Sequence, residues 1–132
     1  MSWAALGAWL ATTIGGATLA VQWIRHGGPG QDGGIRSTRL LGHASLAVLG
    51  LALWIAYLAS DRELLAWIAV VLLAVVAAIG FSMLAMWLRG RSGSDHTRLP
   101  AEASFPLPLV LGHGALGVTT LLLSTLAASG VG

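Results

Sequence analysis

The 132-residue sequence has no cysteine and no lysine, and only 9% of its residues are charged. The absence of cysteine excludes disulfides, iron–sulfur clusters and thiolate metal ligands. With 56% hydrophobic residues beside so few charges, the composition lies outside the usual range of soluble domains. The chain is therefore predicted to be a membrane protein, and its seven basic residues, all arginine, form no patch for nucleic acid.

Four apolar runs cover most of the chain, at residues 3–24, 39–59, 64–88 and 106–129. Each has about the 20 residues that a helix needs to cross the hydrocarbon core of a bilayer. The first run has no basic segment before it and is longer than the core of a signal peptide, so we interpret it as a helix. The predicted fold class is all-α: a polytopic membrane protein with a single domain, a four-helix transmembrane bundle surrounded by lipid.

The arginines predict the topology. Six of the seven lie in or beside the first and third loops, whereas Arg62 alone lies in the second. By the positive-inside rule, both long loops are cytoplasmic and both termini lie outside. We expect a multi-pass protein of a bacterial inner (plasma) membrane. The second loop fits a capping box in which Ser60 is the N-cap of the third helix and Glu63 reaches back, so helices 2 and 3 should form an antiparallel hairpin.

Two stretches of the sequence occur twice. Leu41-Gly42-His43 recurs 70 positions later as Leu111-Gly112-His113, and Trp23-Ile24-Arg25 recurs 64 positions later as Trp87-Leu88-Arg89. The repeat predicts two similar helical hairpins, residues 1–60 and 61–132, related by an approximate two-fold axis along the membrane normal. Helices 2 and 4 are then parallel, and their histidines lie at similar depth and face each other.

A histidine inside an apolar helix is costly unless something binds its imidazole. A low-spin b-type haem needs two axial imidazoles on opposite faces of a flat ring, and in membrane bundles they project from two helices. We therefore predict that His43 and His113 are the metal ligands of one haem b per chain, close to the cytoplasmic side. Ser45 or a main-chain carbonyl one turn back is expected to bond the free imidazole nitrogens.

The neighbouring small and basic residues suit this prediction. Gly42 and Gly112 precede the ligands and keep bulk away from them. At the offset of 64, Gly16 falls on Gly80, and both leave room for a porphyrin edge against the backbone. Arginines at the cytoplasmic helix ends are expected to pair with the haem propionates, in the order of preference Arg25 and Arg39, then Arg89 and Arg98.

The pair Leu-Gly-His43 and Leu-Gly-His113 on the second and fourth helices resembles the arrangement in four-helix membrane cytochromes b, which include the haem-bearing anchor subunits of respiratory dehydrogenases. The resemblance covers the architecture and two ligand positions. It implies an electron-transfer subunit rather than a stand-alone enzyme, working in a larger redox complex or a homo-oligomer, with quinone or another redox centre. Many such proteins bind two stacked haems, whereas this chain has one intramembrane histidine pair.

Two other functions fit the same residues. Histidine also ligates chlorophyll magnesium, so the chain could be a (bacterio)chlorophyll-binding protein with one pigment on each histidine. It could also be a cofactor-free structural or assembly subunit of a larger membrane complex. A proton-coupled transporter is disfavoured, because all five carboxylates lie in loops and such carriers need an ionisable group at mid-membrane.

Overall fold

A computed structural model describes residues 1–92 and 100–131, and within these ranges all regular structure is helical. The four long helices are α1 (Ser2–Arg25), α2 (Ser37–Ser60), α3 (Glu63–Ser92) and α4 (Leu107–Ala128). Single 3₁₀ turns lie in the first loop, at Gly28–Gly30, and in the third, at Ala101–Ser104. Each long helix is long and apolar enough to cross a membrane. The predicted fold class is confirmed.

The helix ends differ slightly from the predicted ones. α2 begins at Ser37, two residues before the predicted start, and α3 continues to Ser92, four residues past the predicted end. Arg89 and Arg91 lie in the last turn of α3, where cations are favoured by the helix dipole. α4 begins after Pro106, with a second proline in its first turn, where a missing N–H costs no helix bond.

The predicted capping box in the second loop is wrong. Ser60 is the last residue of α2, and its hydroxyl donates a hydrogen bond to the Ala56 carbonyl at 2.7 Å. Asp61 then takes a left-handed conformation with φ 52°, which ends the helix. α3 starts two residues later, at Glu63. The connection is still short enough to make α2 and α3 an antiparallel hairpin, as predicted.

The four helices form a ring in the order α1, α4, α3, α2. The most extensive contacts are those of α1 with α4 and of α2 with α3. The contact between α1 and α2 is the least extensive of the four adjacent pairs. α2 and α4 therefore lie diagonally across the bundle. This arrangement directs one face of each toward the bundle centre, and both of these faces contain a Leu-Gly-His histidine.

The half of the bundle near the short second loop is a packed core around two tryptophans. Trp9 and Trp54 are fully buried, and their ring centroids lie 6.2 Å apart. The Trp54 indole N–H donates to the Ser2 carbonyl at 3.2 Å. Gly50 makes room for the first indole, since a Cβ at Gly50 would lie 3.0 Å from Cζ2 of Trp9. This half of the bundle has no space for a large ligand.

The opposite end is closed by hydrogen bonds between the two long loops, which we call the loop tie. The buried Glu102 carboxylate accepts from the Ile35 N–H at 2.7 Å and from the Gln31 side-chain amide at 2.9 Å. The Gln31 amide oxygen accepts from the Ala101 N–H at 2.8 Å, and the Trp87 indole donates to the Glu102 carbonyl at 2.9 Å. The loop tie covers the bundle on its long-loop side.

Replacing Trp54 by alanine should lower the free energy of unfolding by about 3–5 kcal/mol, because it leaves a cavity in the packed half of the bundle. Thermal unfolding of the purified protein in detergent measures this loss. Trp3→Ala is the control, because Trp3 is 74% exposed and lies outside the core. Equal melting temperatures for the two variants would contradict the assignment of Trp54 to the core.

Glu102→Ala should lower the free energy of unfolding by about 1–3 kcal/mol, because the Ile35 N–H and the Gln31 amide lose a buried acceptor. Limited proteolysis of the long loops should become faster in the same variant. Glu63→Ala removes an exposed carboxylate at the first residue of α3, outside the loop tie, and serves as the control. A Glu102→Ala variant as stable and as protease-resistant as the control would show that the loop tie contributes nothing.

Candidate functional site

The structure brings together the two histidines that the sequence singles out. His43 is the seventh residue of α2, and His113 is the seventh residue of α4. Each therefore lies about 9 Å along its helix from the long-loop end, so the two are at matched depth. Their ring centroids are 6.3 Å apart, and the ring planes meet at 66°.

Each imidazole is oriented by a hydrogen bond to a neighbouring helix. Nδ1 of His43 donates to the Val76 carbonyl of α3 at 3.0 Å, and Nδ1 of His113 donates to the Thr12 carbonyl of α1 at 3.0 Å. A carbonyl can only accept, so in both neutral rings Nδ1 has the hydrogen and Nε2 has the lone pair. Metal-binding histidines are oriented in the same way, by a bond from the second ring nitrogen.

The predicted partners of these nitrogens are wrong. Ser45 is exposed on α2, and neither imidazole bonds a carbonyl of its own helix. Both rings point toward the bundle centre, away from their own backbone, and they reach the carbonyls of the adjacent helices instead. The histidines therefore link α2 to α3 and α4 to α1.

Gly16 and Gly80 make these bonds possible. A Cβ at Gly16 would lie 2.9 Å from Cε1 of His113, and a Cβ at Gly80 would lie 3.1 Å from Cε1 of His43. Each glycine follows the accepting carbonyl by four residues, and the Cβ of a helical residue tilts toward the preceding turn. A side chain at either glycine would stand beside the carbonyl and obstruct the imidazole. The expected contact with a porphyrin edge stays a prediction.

The contacts of the two histidines are related by the offsets seen in the sequence. The accepting carbonyls belong to Thr12 and Val76, 64 positions apart, and the glycines behind them have the same spacing. The imidazoles themselves are 70 positions apart. The contact of α1 with α4 therefore has equivalent positions of the repeat in the same roles as the contact of α3 with α2.

An apolar cavity of about 320 Å³ lies between the helices, and both histidines, Gly16 and Gly80 line it. Its volume is within the range of ligand-binding cavities, which are mostly apolar with a few converging polar groups. Here the two imidazoles are those groups. On the long-loop side the cavity reaches Trp23 and Trp87, beneath the loop tie.

The other predicted site residues lie away from this cavity. A Cβ at Gly42 or Gly112 would meet nothing within 4 Å, and neither glycine lines the cavity. The three described arginines of the prediction are exposed and do not line it either; they are Arg25, Arg39 and Arg89. Arg39 donates to the sulfur of Met86 and Arg89 to the Ala85 carbonyl. Arg98 lies outside the described residues, and pairing of any arginine with propionates stays a prediction.

The structure adds residues that sequence reasoning missed. The Trp23 indole lines the cavity, and its Nε1–H is buried without a hydrogen-bond partner among the described residues. The hydroxyls of Thr12 and Thr120 lie 3.1 Å apart, beside the carbonyl that binds His113. The Trp23 repeat is visible in the sequence and sets the offset of 64, but it does not indicate that the indole lines a cavity. Nothing in the sequence pattern pointed to Glu102.

Chemically, the site offers two imidazoles 6.3 Å apart that line one apolar cavity. Among residues 1–92 and 100–131, no group of three or more histidine, cysteine, aspartate or glutamate side chains gathers around a metal position. Two imidazoles alone are the protein ligand set of a metal whose other ligands come from a macrocycle.

No family model matches the chain, and neither does a curated protein or a solved structure.

If the chain binds the haem that the sequence predicts, Gly16→Ala should weaken that binding by about tenfold or more, the size of effect that loss of support for a metal-binding histidine has. The added methyl group would lie 2.9 Å from Cε1 of His113, so the ring must shift from the position in which it bonds the Thr12 carbonyl. Gly112→Ala is the matched control, because a Cβ there meets nothing within 4 Å. Spectral titration with haem measures both, and equal affinities would contradict the role assigned to Gly16.

Proposed function

We propose that the chain binds one haem b between His43 and His113 and serves as a membrane electron-transfer subunit. The proposal rests on one observation, the 6.3 Å between the imidazole centroids. A metal–imidazole bond is about 2.0–2.1 Å long, and a ring with bonds of about 1.33 Å has its atoms about 1.1–1.2 Å from its centre. Two imidazoles on opposite sides of one metal ion would therefore have centroids about 6.2 to 6.6 Å apart.

The protonation of the rings supports the same proposal. Both Nδ1 atoms are used in bonds to carbonyls, and no described residue bonds Nε2 of either histidine. The 66° between the ring planes, which the two carbonyl bonds fix, is compatible with the proposal, because two imidazoles that bind one metal ion need not be parallel. When bound, a haem with two histidine ligands supplies a one-electron ferrous/ferric couple and leaves no axial position for a substrate.

The separation of the imidazoles disfavours two chlorophylls. With a separate pigment on each histidine, two stacked macrocycles would lie between the rings and add a layer of about 3.5–4.0 Å. The observed 6.3 Å leaves room for one flat ring only. No contact of the described residues favours a cofactor-free structural subunit over a haem protein.

The packed half of the bundle explains why we propose a single haem. Trp9 and Trp54 fill the space on the short-loop side. The only histidine pair within the described helices lies on the long-loop side. If the long loops are cytoplasmic, as the arginines predict, the haem lies near the cytoplasmic face of a bacterial inner membrane. A partner subunit or a second copy of the chain then exchanges electrons there, and quinone or another redox centre completes the path.

Purified protein supplemented with haem should show the sharp, split alpha band of a low-spin b-type haem in its reduced-minus-oxidised spectrum. His43→Ala and His113→Ala should each abolish this band, because one axial ligand is lost. His26→Ala is the control, because His26 is exposed in the first loop and bonds only the Gln22 carbonyl. Persistence of the band in either ligand variant, or no band in the unmodified protein, would refute the proposal.

A further inference from the structure

Two tryptophans occupy equivalent places on the long-loop side of the cavity. Trp23 follows Gly16 by seven residues on α1, and Trp87 follows Gly80 by seven residues on α3. Each is therefore two helical turns, about 10 Å, from the level of the histidines. Both indoles are 3% exposed, and both line the cavity.

The two indole N–H groups differ in their partners. The Trp87 N–H donates to the Glu102 carbonyl at 2.9 Å, as part of the loop tie. The Trp23 N–H is buried and has no acceptor among the described residues. Gly28 packs against the face of this indole so closely that a Cβ would not fit, and the first loop thus holds the ring in place. A buried donor without an acceptor costs free energy, so native structures seldom leave one.

The groups around this end of the cavity include no described arginine to bind an anionic ligand and no free acceptor for the Trp23 N–H on Glu102. No described arginine lines the cavity, and the Glu102 carboxylate already accepts from the Ile35 N–H and the Gln31 amide. Trp23 thus lines the long-loop end of the cavity, and its buried indole N–H is a donor without an acceptor among the described residues. A haem has two carboxylates on one edge, and these charged groups need donors where the ring approaches the membrane surface.

We propose that the Trp23 Nε1–H donates a hydrogen bond to a haem propionate, in the place where the sequence predicts an arginine. The inference rests on the proposed haem function and deepens it, because it orients the carboxylate edge of the ring toward the first loop. The carboxylate edge then lies at the long-loop end of the cavity, on the same side of the bundle as the loop tie. Trp23 is a binding residue in this arrangement, whereas its repeat partner Trp87 is a structural one.

Haem b and its dimethyl ester test this orientation, because they share the iron and the macrocycle but differ in their carboxylates. Both are titrated into purified wild-type protein, Trp23→Phe and Trp87→Phe, and the ratio of the two affinities is taken within each protein. Loss of folded protein lowers both affinities and leaves their ratio unchanged. A hydrogen bond to a charged group changes affinity by about 10- to 100-fold, so wild type should prefer the diacid by that factor.

Trp23→Phe should lose this preference, and Trp87→Phe should keep it. A wild-type ratio near one, or a Trp23→Phe ratio equal to that of wild type, overturns the inference and leaves the haem proposal intact. The wild-type comparison needs no variant, so it stands even if Trp23→Phe does not fold. If neither haem gives a spectrum that depends on His43 and His113, the proposed function itself fails, and the inference with it.

Discussion

A helix carbonyl that accepts two hydrogen bonds is the constraint on which this bundle depends. Inside a bilayer no water can satisfy an imidazole N–H, so the acceptor must come from the protein. The carbonyls of Thr12 and Val76 each have a second lone pair beyond their helix bond, and the imidazoles use it. That lone pair is accessible only because the residue four positions later is a glycine. The glycines on α1 and α3 thereby determine how closely the histidine helices approach.

The two repeats agree on the long-loop side and diverge on the other. Around the imidazoles, the same contacts occur in both halves of the chain. Toward the short loop, Trp9 stands where the second repeat has Leu73, and Gly50 stands where it has Thr120. Gly50 accommodates the Trp9 indole, whereas Thr120 bonds a hydroxyl of α1. The histidine contacts on the long-loop side are therefore symmetric, whereas the short-loop side is asymmetric and its centre is filled by Trp9 and Trp54.

Much of the fold could be predicted because the apolar runs and the repeat are long, regular signals. The matched contexts of His43 and His113 predict that the two residues lie close together, and the structure places their rings 6.3 Å apart across the bundle centre. Single-residue features were not predictable. Ser60 does not cap α3, because it is the last residue of α2 and Asp61 ends that helix in a left-handed conformation. No local pattern encodes this turn. Glu102 accepts from donors in a loop about 70 positions away, and neither Gln31 nor Ile35 belongs to a repeated pattern that would pair it with Glu102.

The pairing of α1 with α4 has a consequence for biogenesis. α2 and α3 are neighbours in the chain and can associate as soon as both are inserted, whereas α1 must wait for α4 to be synthesised. The Thr12 carbonyl belongs to α1 and the His113 ring to α4, so their hydrogen bond forms only after α4 is synthesised. The ring of helices therefore closes only after translation has passed residue 128, and a cofactor that needs both imidazoles is acquired after insertion. Such a cofactor would hold the last helix in place by mass action.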